Sequence, residues 1–581
     1  MTITLTHPAL WLSAVGLPLL PALLLPVARL RSPAQLLMPW AAAPALGLAL
    51  LVSQEVVVEL PLLLGMRLGL IPLTRVFLLF TALLWIIAGV YAQSYLAGDA
   101  GFRRFCGFYL LTMSGNLGLI LARDLVSFYF FFTLMGLAAY GLVIHAGTAA
   151  VQRAGRIYLI LVILGEAFLL PAMLLTAVAA GTYNLEAVPA AVAGSAQRPL
   201  IMGLLLIGFG IKAGALFLHV WLPLAHPAAP TPASAILSGT MIKAGLLGWL
   251  LFLPLGEPAL PAWGTFCMVA GITAAFYGVV VGLTQSHPKS ILAYSSVSQM
   301  GLMTVALGVA LAVPTARTLA LSAIMVYATH HALAKGALFL GVGVADHVST
   351  SRQRLLVGVG LLLAALALAG APLSSGAVAK TFLKDATYAV SDPWSARLSL
   401  LLQLAAVATT LLMGRFLLAV WPDTRKPAHH LSPGLWLPWS VAVLLVAGWV
   451  FLLPEELATV AVKTLAFSSF WPVAVGALLV GGGWWLYRRP GMRFRPAIPE
   501  GDVLLLLLWL LNVLQRVRRA GVVPAWNALT RQADRSAGHW QRQTDVVTTL
   551  IRLEGRLNTW VVAGTIFMVL LTLALLLVVL V

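Results

Sequence analysis

The sequence predicts an all-α polytopic membrane protein, and three observations carry that expectation. Of 581 residues, 61% are hydrophobic and 9% charged, with a mean hydropathy of +0.98; a soluble globular chain carries about a quarter charged residues. Apolar runs of about 20 residues, enough to cross a bilayer, recur along nearly the whole length. Lys and Arg collect in alternate connections between those runs. Little chain is left for a soluble domain, so a cofactor that needs one would belong to a partner.

The runs fall at 9–29, 33–53, 70–95, 106–122, 125–145, 156–181, 199–222, 232–254, 262–284, 291–312, 318–345, 355–385, 398–420, 434–453, 466–487 and 559–581, about sixteen helices by length and hydropathy. No positive region precedes the first run, and Arg29 and Arg31 follow it, so it reads as a membrane helix and not a cleaved signal peptide. Odd-numbered connections hold most of the cations, among them Arg103 and Arg104, Arg153 and Arg156, Lys289, Arg352 and Arg354, and Arg488 and Arg489. Even-numbered ones hold mostly acids, such as Glu55, Glu59, Glu186, Glu257, Asp385 and Glu455. Positive residues gather on the cytoplasmic side, which puts both termini outside. The formal charge of +18 therefore reports orientation and argues against nucleic acid as a partner.

Residues 502–558 break the rhythm, mixing Arg516, Arg518, Arg519, Arg531 and Arg535 with Val513, Val517, Trp526, Leu529 and Trp540. The mixture predicts an amphipathic helix along the cytoplasmic face, about 80 Å long at 1.5 Å per residue if continuous, with Gly521 and Pro524 as bends. Such a strap would reach a neighbouring membrane protein, and 559–581 would anchor it. The two cysteines, Cys106 and Cys267, lie far apart in apolar runs and can build neither a zinc nor an iron–sulfur site. Neither metal nor cofactor is expected, and no phosphate loop, dinucleotide fingerprint or nucleophile arrangement marks the chain as an enzyme in itself.

Lysine placement is the main functional signal. Lys212, Lys243, Lys335 and Lys380 lie inside apolar runs. An ionisable group at that depth costs several kcal/mol and is by default functional, facing a bundle interior or a water path. Arginine stays charged, whereas a buried lysine can release its proton, so these four suit proton relay. Glu166, in ILGEAFLL, is the one carboxylate near the middle of an apolar run, with Lys212 as the leading partner and Lys243 as an alternative. His219 and His226 flank the WLP sequence, and His330 and His331 stand one turn before Lys335, adding groups that titrate near neutrality. Two helices read as interrupted: one by Pro223, Pro227, Pro230 and Pro232, the other by Gly370, Pro372 and Gly376. Broken membrane helices occur where backbone lines a cavity, and a pair of them points to a transport site.

The stretch HVWLPLAHPAAPTPASAILSGTMIKAG, from His219 to Gly245, resembles the proton-translocating antiporter-like subunits of respiratory complex I, of membrane-bound hydrogenases and of Mrp-type antiporters. SILAYSSVSQMG (290–301), HHALAKGALFLGVG (330–343) and AGAPLSSGAVAKTF (369–382) extend the likeness to roughly 70–420. The apolar runs place N-terminal helices in 1–105 and further helices in 434–487, and the resemblance implies two inverted five-helix repeats in 106–254 and 262–420 with discontinuous helices seven and twelve. It implies Lys212 as the seventh-helix lysine, Lys243 as the eighth, His331 and Lys335 as the eleventh-helix relay, and Lys380 as the lysine of the broken twelfth. Lys289 resembles the basic residue before the tenth helix, with His287 where the family often has an acid. Thr133 stands where the family's fifth helix carries a glutamate. Either Glu166 has taken over as countercharge, or the first half-channel is degenerate.

The expected function is thus a proton-translocating membrane subunit of a multi-subunit complex in a bacterial inner membrane, at most a non-redox part of an oxidoreductase. Its partners would be other membrane subunits of that complex and the lipid bilayer. A cation/proton antiporter or inorganic-carbon uptake module, and a scaffold with vestigial channels, are the rivals.

Overall fold

The computed structural model describes residues 7–256, 258–391, 394–421, 431–448, 460, 462–487, 498–501 and 503. The expected strap, 502–558, and terminal helix, 559–581, lie outside the described residues, Val503 excepted. The chain divides into one unit of 1–60 and 66–501 and another of 61–65 and 502–581. In the second, Leu63, Leu64 and Gly65 take φ of 47°, 61° and 92°.

The first unit is helical apart from one hairpin. It opens with α1 (Pro8–Gly16), α2 (Leu19–Leu24), α3 (Arg31–Leu37) and α4 (Ala43–Leu51), the last two joined by a 3₁₀ turn. The run expected as one helix over 9–29 is therefore split. The connection read as a plain loop holds strands β1 (Val56–Leu60) and β2 (Met66–Leu70), paired antiparallel. Their Val-rich, alternating pattern is strand-like. Arg67 of β2 donates its backbone N–H to Asp124 at 2.8 Å and accepts from Arg123 N at 2.8 Å. Asp124 also caps α7, accepting from Ser127 N at 2.7 Å.

Then follow α5 (Pro72–Tyr95), α6 (Phe102–Leu121), α7 (Leu125–Val143), α8 (Ala149–Ala180), α9 (Val188–Gly194) and α10 (Arg198–Ala213). Next come α11 (Trp221–Ala228), α12 (Thr231–Ile236), a π turn (Leu237–Met241) and α13 (Ile242–Phe252). Helices α14 (Pro261–Thr284), α15 (Pro288–Ala312), α16 (Arg317–Ala345), α17 (Ser351–Ala369) and α18 (Ser375–Thr387) come after these. The described helices end with α19 (Trp394–Val420), α20 (Pro433–Gly448) and α21 (Phe467–Tyr487). Helices α14 and α15 touch backbone to backbone: a Cβ at Gly271 would fall 2.5 Å from Gly301 O, and one at Gly301 would fall 2.5 Å from Gly271 O. Small residues permit such contact where apolar packing alone gives little gain over lipid. Among the described residues ten helical stretches are long and apolar enough to cross a membrane, which makes the chain a polytopic membrane protein.

Two breaks frame the interior. Between α10 and α11, Gly214 and Phe217 take φ of 71° and 67°. Between α17 and α18, Gly370 and Leu373 take φ of 89° and 59°. Each break thus sets a left-handed glycine three residues before a left-handed bulky residue, a backbone state that costs about 1–3 kcal/mol at the non-glycine position and clusters at functional sites. The first break begins at Gly214, and the chain leaves helix again at Ala229–Pro230, between α11 and α12. Pro223 sits in the first turn of α11, while Pro230 caps α12 and Pro232 lies in its first turn, places where a missing N–H costs nothing. Pro372 lies within the second break, between Gly370 and Leu373.

Candidate functional site

The segment from α12 to α13 is wholly buried. Its π turn leaves the Ser238 carbonyl facing Lys243, whose Nζ donates to it at 2.5 Å. π turns inside α-helices often mark functional positions because they free such backbone groups. The Ser238 hydroxyl meets that of Ser296 in α15 at 2.8 Å, and Ser296 donates on to Leu292 O at 3.1 Å. Lys335 of α16 donates to the same Leu292 carbonyl at 2.7 Å. Two lysines on different helices are therefore tied together through one hydroxyl pair and one shared carbonyl.

His331, one turn before Lys335, is fully buried and lies within electrostatic reach of Lys243, Lys335 and His330. His226 of α11 stacks on Phe339 at 4.5 Å and faces Lys335, Lys289 and Lys243. The ring nitrogens of His226 and His331 are buried without a hydrogen-bond partner. Lys289 donates to Ala229 O at 2.8 Å, closing the group toward the α11–α12 connection.

Lys212 stands apart from this cluster. It occupies the last turn of α10, where the helix dipole favours a cation. Its Nζ donates to the Tyr158 hydroxyl at 3.2 Å, and Tyr158 donates to Gly136 O at 2.8 Å. The ammonium also lies 6.0 Å from the Trp221 ring centroid. Glu166 on α8 accepts from Thr133 Oγ1 at 2.9 Å. Glu166 and Lys212 line one cavity of about 10 Å³ with Tyr158 and Trp221, the space of a single water. Among the described residues the ion pairs within 4 Å are Arg67–Glu59, Arg123–Glu186 and His145–Asp99, so Glu166 and Lys212 face each other without direct contact.

Lys380 of α18 folds back across the second break and donates to Ala369 O, the last carbonyl of α17. His330 Nδ1 meets Ser375 Oγ at the start of α18 at 2.8 Å. Gly376 lets α18 approach closely here, since a Cβ there would sit 2.9 Å from His330 Nε2. Lys380 opens onto a cavity of about 240 Å³ between α18, α19 and the segment before α21. His219 lies in the first break, its ring against those of Tyr277 at 5.4 Å and Tyr294 at 6.1 Å.

The structure thus gathers Lys243, His226, His331 and Lys335 in one group, Thr133, Glu166 and Lys212 in a second, and His330 and Lys380 in a third. Sequence reading missed Tyr158, Ser238 and Ser296. Hydroxyls inside apolar runs five residues before Lys243 were the available signal for Ser238; nothing local marks Ser296 as its partner.

Buried lysines, interrupted helices and a mostly helical bundle characterise the described part of this polytopic membrane protein. Residues 122–405 match the model of the NADH:quinone oxidoreductase/Mrp antiporter transmembrane family. The chain is similar to the A/B subunit of a probable K(+)/H(+) antiporter of Rhizobium meliloti, 29% identical over 320 residues, 52% of this chain and 31% of that one. It is 28% identical to hydrogenase-4 component B of Escherichia coli over 284 residues, 47% of this chain and 42% of the relative. It therefore spans less than half of the length of these curated relatives. The Mrp complex from Dietzia sp. DQ12-45-1b contains a similar chain, with a TM-score of 0.71, 25% identity, and 94% of this chain and 62% of that one covered.

Proposed function

We propose that this chain is the proton-carrying membrane subunit of a multi-subunit complex, with Glu166 and Lys212 as the entry pair, Lys243, His226, His331 and Lys335 as the central relay, and Lys380 as the opposite end. The observation that carries the reading is the bonding of the lysines. Lys243 and Lys335 are buried and Lys380 is half-buried, each on one neutral carbonyl. A buried ammonium so weakly compensated is poised to release its proton, and a permanently charged structural cation would instead be expected to sit on a carboxylate. The space between Glu166 and Lys212 lets a water or a small side-chain swing make and break their interaction, which is how charge at one site biases the next.

On this reading Glu166 supplies the countercharge that the family's fifth-helix glutamate supplies elsewhere, held by Thr133 at the vacated position. The matching glycine-plus-three geometry of the two breaks supports two inverted repeats, in 106–254 and 262–420, each with one interrupted helix, within about sixteen crossings overall. His219 belongs to the first break as a secondary proton group. The partners are other membrane proteins of the complex, reached by 502–558, in a bacterial inner membrane with both termini outside.

The test is proton uptake by vesicles carrying the complete complex. Lys335→Met should reduce uptake at least tenfold while the chain still co-purifies with its partners; unchanged uptake would refute the relay. The K(+)/H(+) antiporter relative favours cation exchange as the coupled process. Dependence of uptake on external potassium or sodium separates exchange from redox-driven pumping.

A further inference from the structure

The cavity at Lys380 holds more than a proton exit needs. Its volume is about 240 Å³, below the roughly 300–1,000 Å³ of a drug-sized ligand site but far above what one water or bare ion fills. Lys380, Lys384 and Lys463 all line it, against one carboxylate, Asp385, leaving a formal excess of two positive charges (three minus one). Lys384 follows Lys380 by four residues and shares its α18 face, while Asp385, one residue on, reaches the same cavity from the flank of the helix. Ser468 and Ser469, in the first turn of α21, add hydroxyls on the opposite wall, and the positive end of that helix dipole lies beside them. The wall groups are thus mostly hydrogen-bond donors around a positive centre. Helix α21 has only 11% of its apolar span buried, so the cavity stands next to a largely uncovered membrane helix.

We propose that this cavity is an oxyanion site that takes a phosphate-class group, with Lys384 and Lys463 as its principal binding residues. A cation would meet three ammonium groups there, and water alone would leave two of them without a countercharge. A phosphate or phosphodiester has the acceptor oxygens to bridge Lys384, Lys463 and the two serine hydroxyls at once, and charge-assisted hydrogen bonds of that kind are the strong ones. The same chemistry comes from a phospholipid headgroup entering past α21 or from free phosphate in the aqueous phase. This site is read from binding alone, so its failure and that of the proton pathway are separate outcomes.

The experiment places the full chain in dodecyl maltoside micelles, which carry no phosphate, and follows its thermal unfolding midpoint, first with inorganic phosphate added, then with phosphatidylglycerol mixed into the micelles. A ligand of the folded state raises the midpoint in proportion to its occupancy. One addition should raise it saturably: phosphatidylglycerol if the source is a headgroup, phosphate if it is the free ion. Lys384→Gln should then require about tenfold more ligand, and the more exposed Lys463→Gln about threefold more. Lys384→Arg should keep the response, showing that charge and not folding is at issue. Asp385→Asn should tighten binding, the opposite of what a cation site would do. The proposal is overturned if neither addition moves the midpoint, if Lys384→Gln responds like the native chain, or if Asp385→Asn weakens the response.

Discussion

Moving the entry carboxylate back to the family's position tests the role given to Glu166. The perturbation is the exchange Thr133→Glu with Glu166→Gln, beside each single change. Thr133 Oγ1 lies 2.9 Å from Glu166 Oε2, so a glutamate at 133 can place its carboxylate in the space Glu166 now fills. A carboxylate and an ammonium one water apart, roughly 5 Å, attract by about 3 kcal/mol at an effective dielectric constant of about 20. Since about 1.4 kcal/mol is a factor of ten, Glu166→Gln removes roughly a hundredfold bias from the Lys212 equilibrium. Proton uptake by vesicles containing the intact complex should fall by a similar factor in Glu166→Gln, with co-purification of the partners unchanged. The exchange should restore at least a tenth of native uptake. Native-level uptake in Glu166→Gln, or no recovery in the exchange when the protein assembles normally, would refute the countercharge argument.

Other expectations concern the central group and the breaks. Ser238→Ala or Ser296→Ala removes one hydroxyl of the bridge at 2.8 Å and should lower stability by about 1 kcal/mol each. Ser238→Ala with Ser296→Ala should cost scarcely more than either single change, a coupling that unfolding of all four forms would reveal. At Gly376 an added Cβ would lie 1.8 Å from Ala367 O, so Gly376→Ala should lower stability by about 1–3 kcal/mol, seen as a fall in the unfolding midpoint. His287 begins α15 and accepts from Lys289 N at 3.2 Å. Burial, then Lys289, hold its pKa below the ordinary 6.5, with Glu500 and Asp346 pulling the other way. Its contribution is therefore present above 6.5 and lost as pH falls through the lowered value. His287→Asn keeps a capping acceptor that does not titrate and should flatten the acid-side loss of stability between pH 7 and 5, followed as unfolding midpoint against pH.

The polytopic helical class and the buried lysines were legible because a charge in an apolar run is costly wherever it points. Which charges meet was less legible. Glu166 and Lys212 sit 46 positions apart, and antiparallel neighbours at equal depth suggested them as a pair; that a cavity separates them depends on Tyr158 and Trp221, which look like ordinary aromatics in sequence. Ser238 and Ser296 stayed hidden because a serine inside a membrane helix costs little and can bond its own backbone, so its partner depends on tertiary register. The prolines around 223–232 mark only part of the first break: Pro223, Pro230 and Pro232 sit at helix starts, Pro227 lies inside α11, and the chain leaves helix at Ala229–Pro230, but the break opens earlier. Gly214 was the better sign, because Phe217 shows that this connection needs left-handed backbone. The β1–β2 hairpin was missed for want of length: five-residue strands between apolar runs give too short a pattern to separate from a loop.

The charges around the Glu166–Lys212 pair and around the centre differ in sign, and that difference bears on how a proton would move. Lys212 has an acid as its electrostatic neighbour, Glu166. The charged neighbours of Lys243, His226 and His331 are lysines, with His330 also beside His331. In a low-dielectric interior like charges at close range oppose one another, so on the proposed pathway a proton at one member of the central group would disfavour one at the others. On that pathway a proton delivered to Lys243 would raise the cost of one on Lys335 or His331, and Lys380, which opens onto the cavity of about 240 Å³, is the end toward which it would leave. The pair at Glu166 can store a proton stably because opposite charges meet there, whereas the centre can only pass one on. Rigid ties between Lys243 and Lys335 through Ser238, Ser296 and Leu292 keep that repulsion from being relaxed by side chains drifting apart.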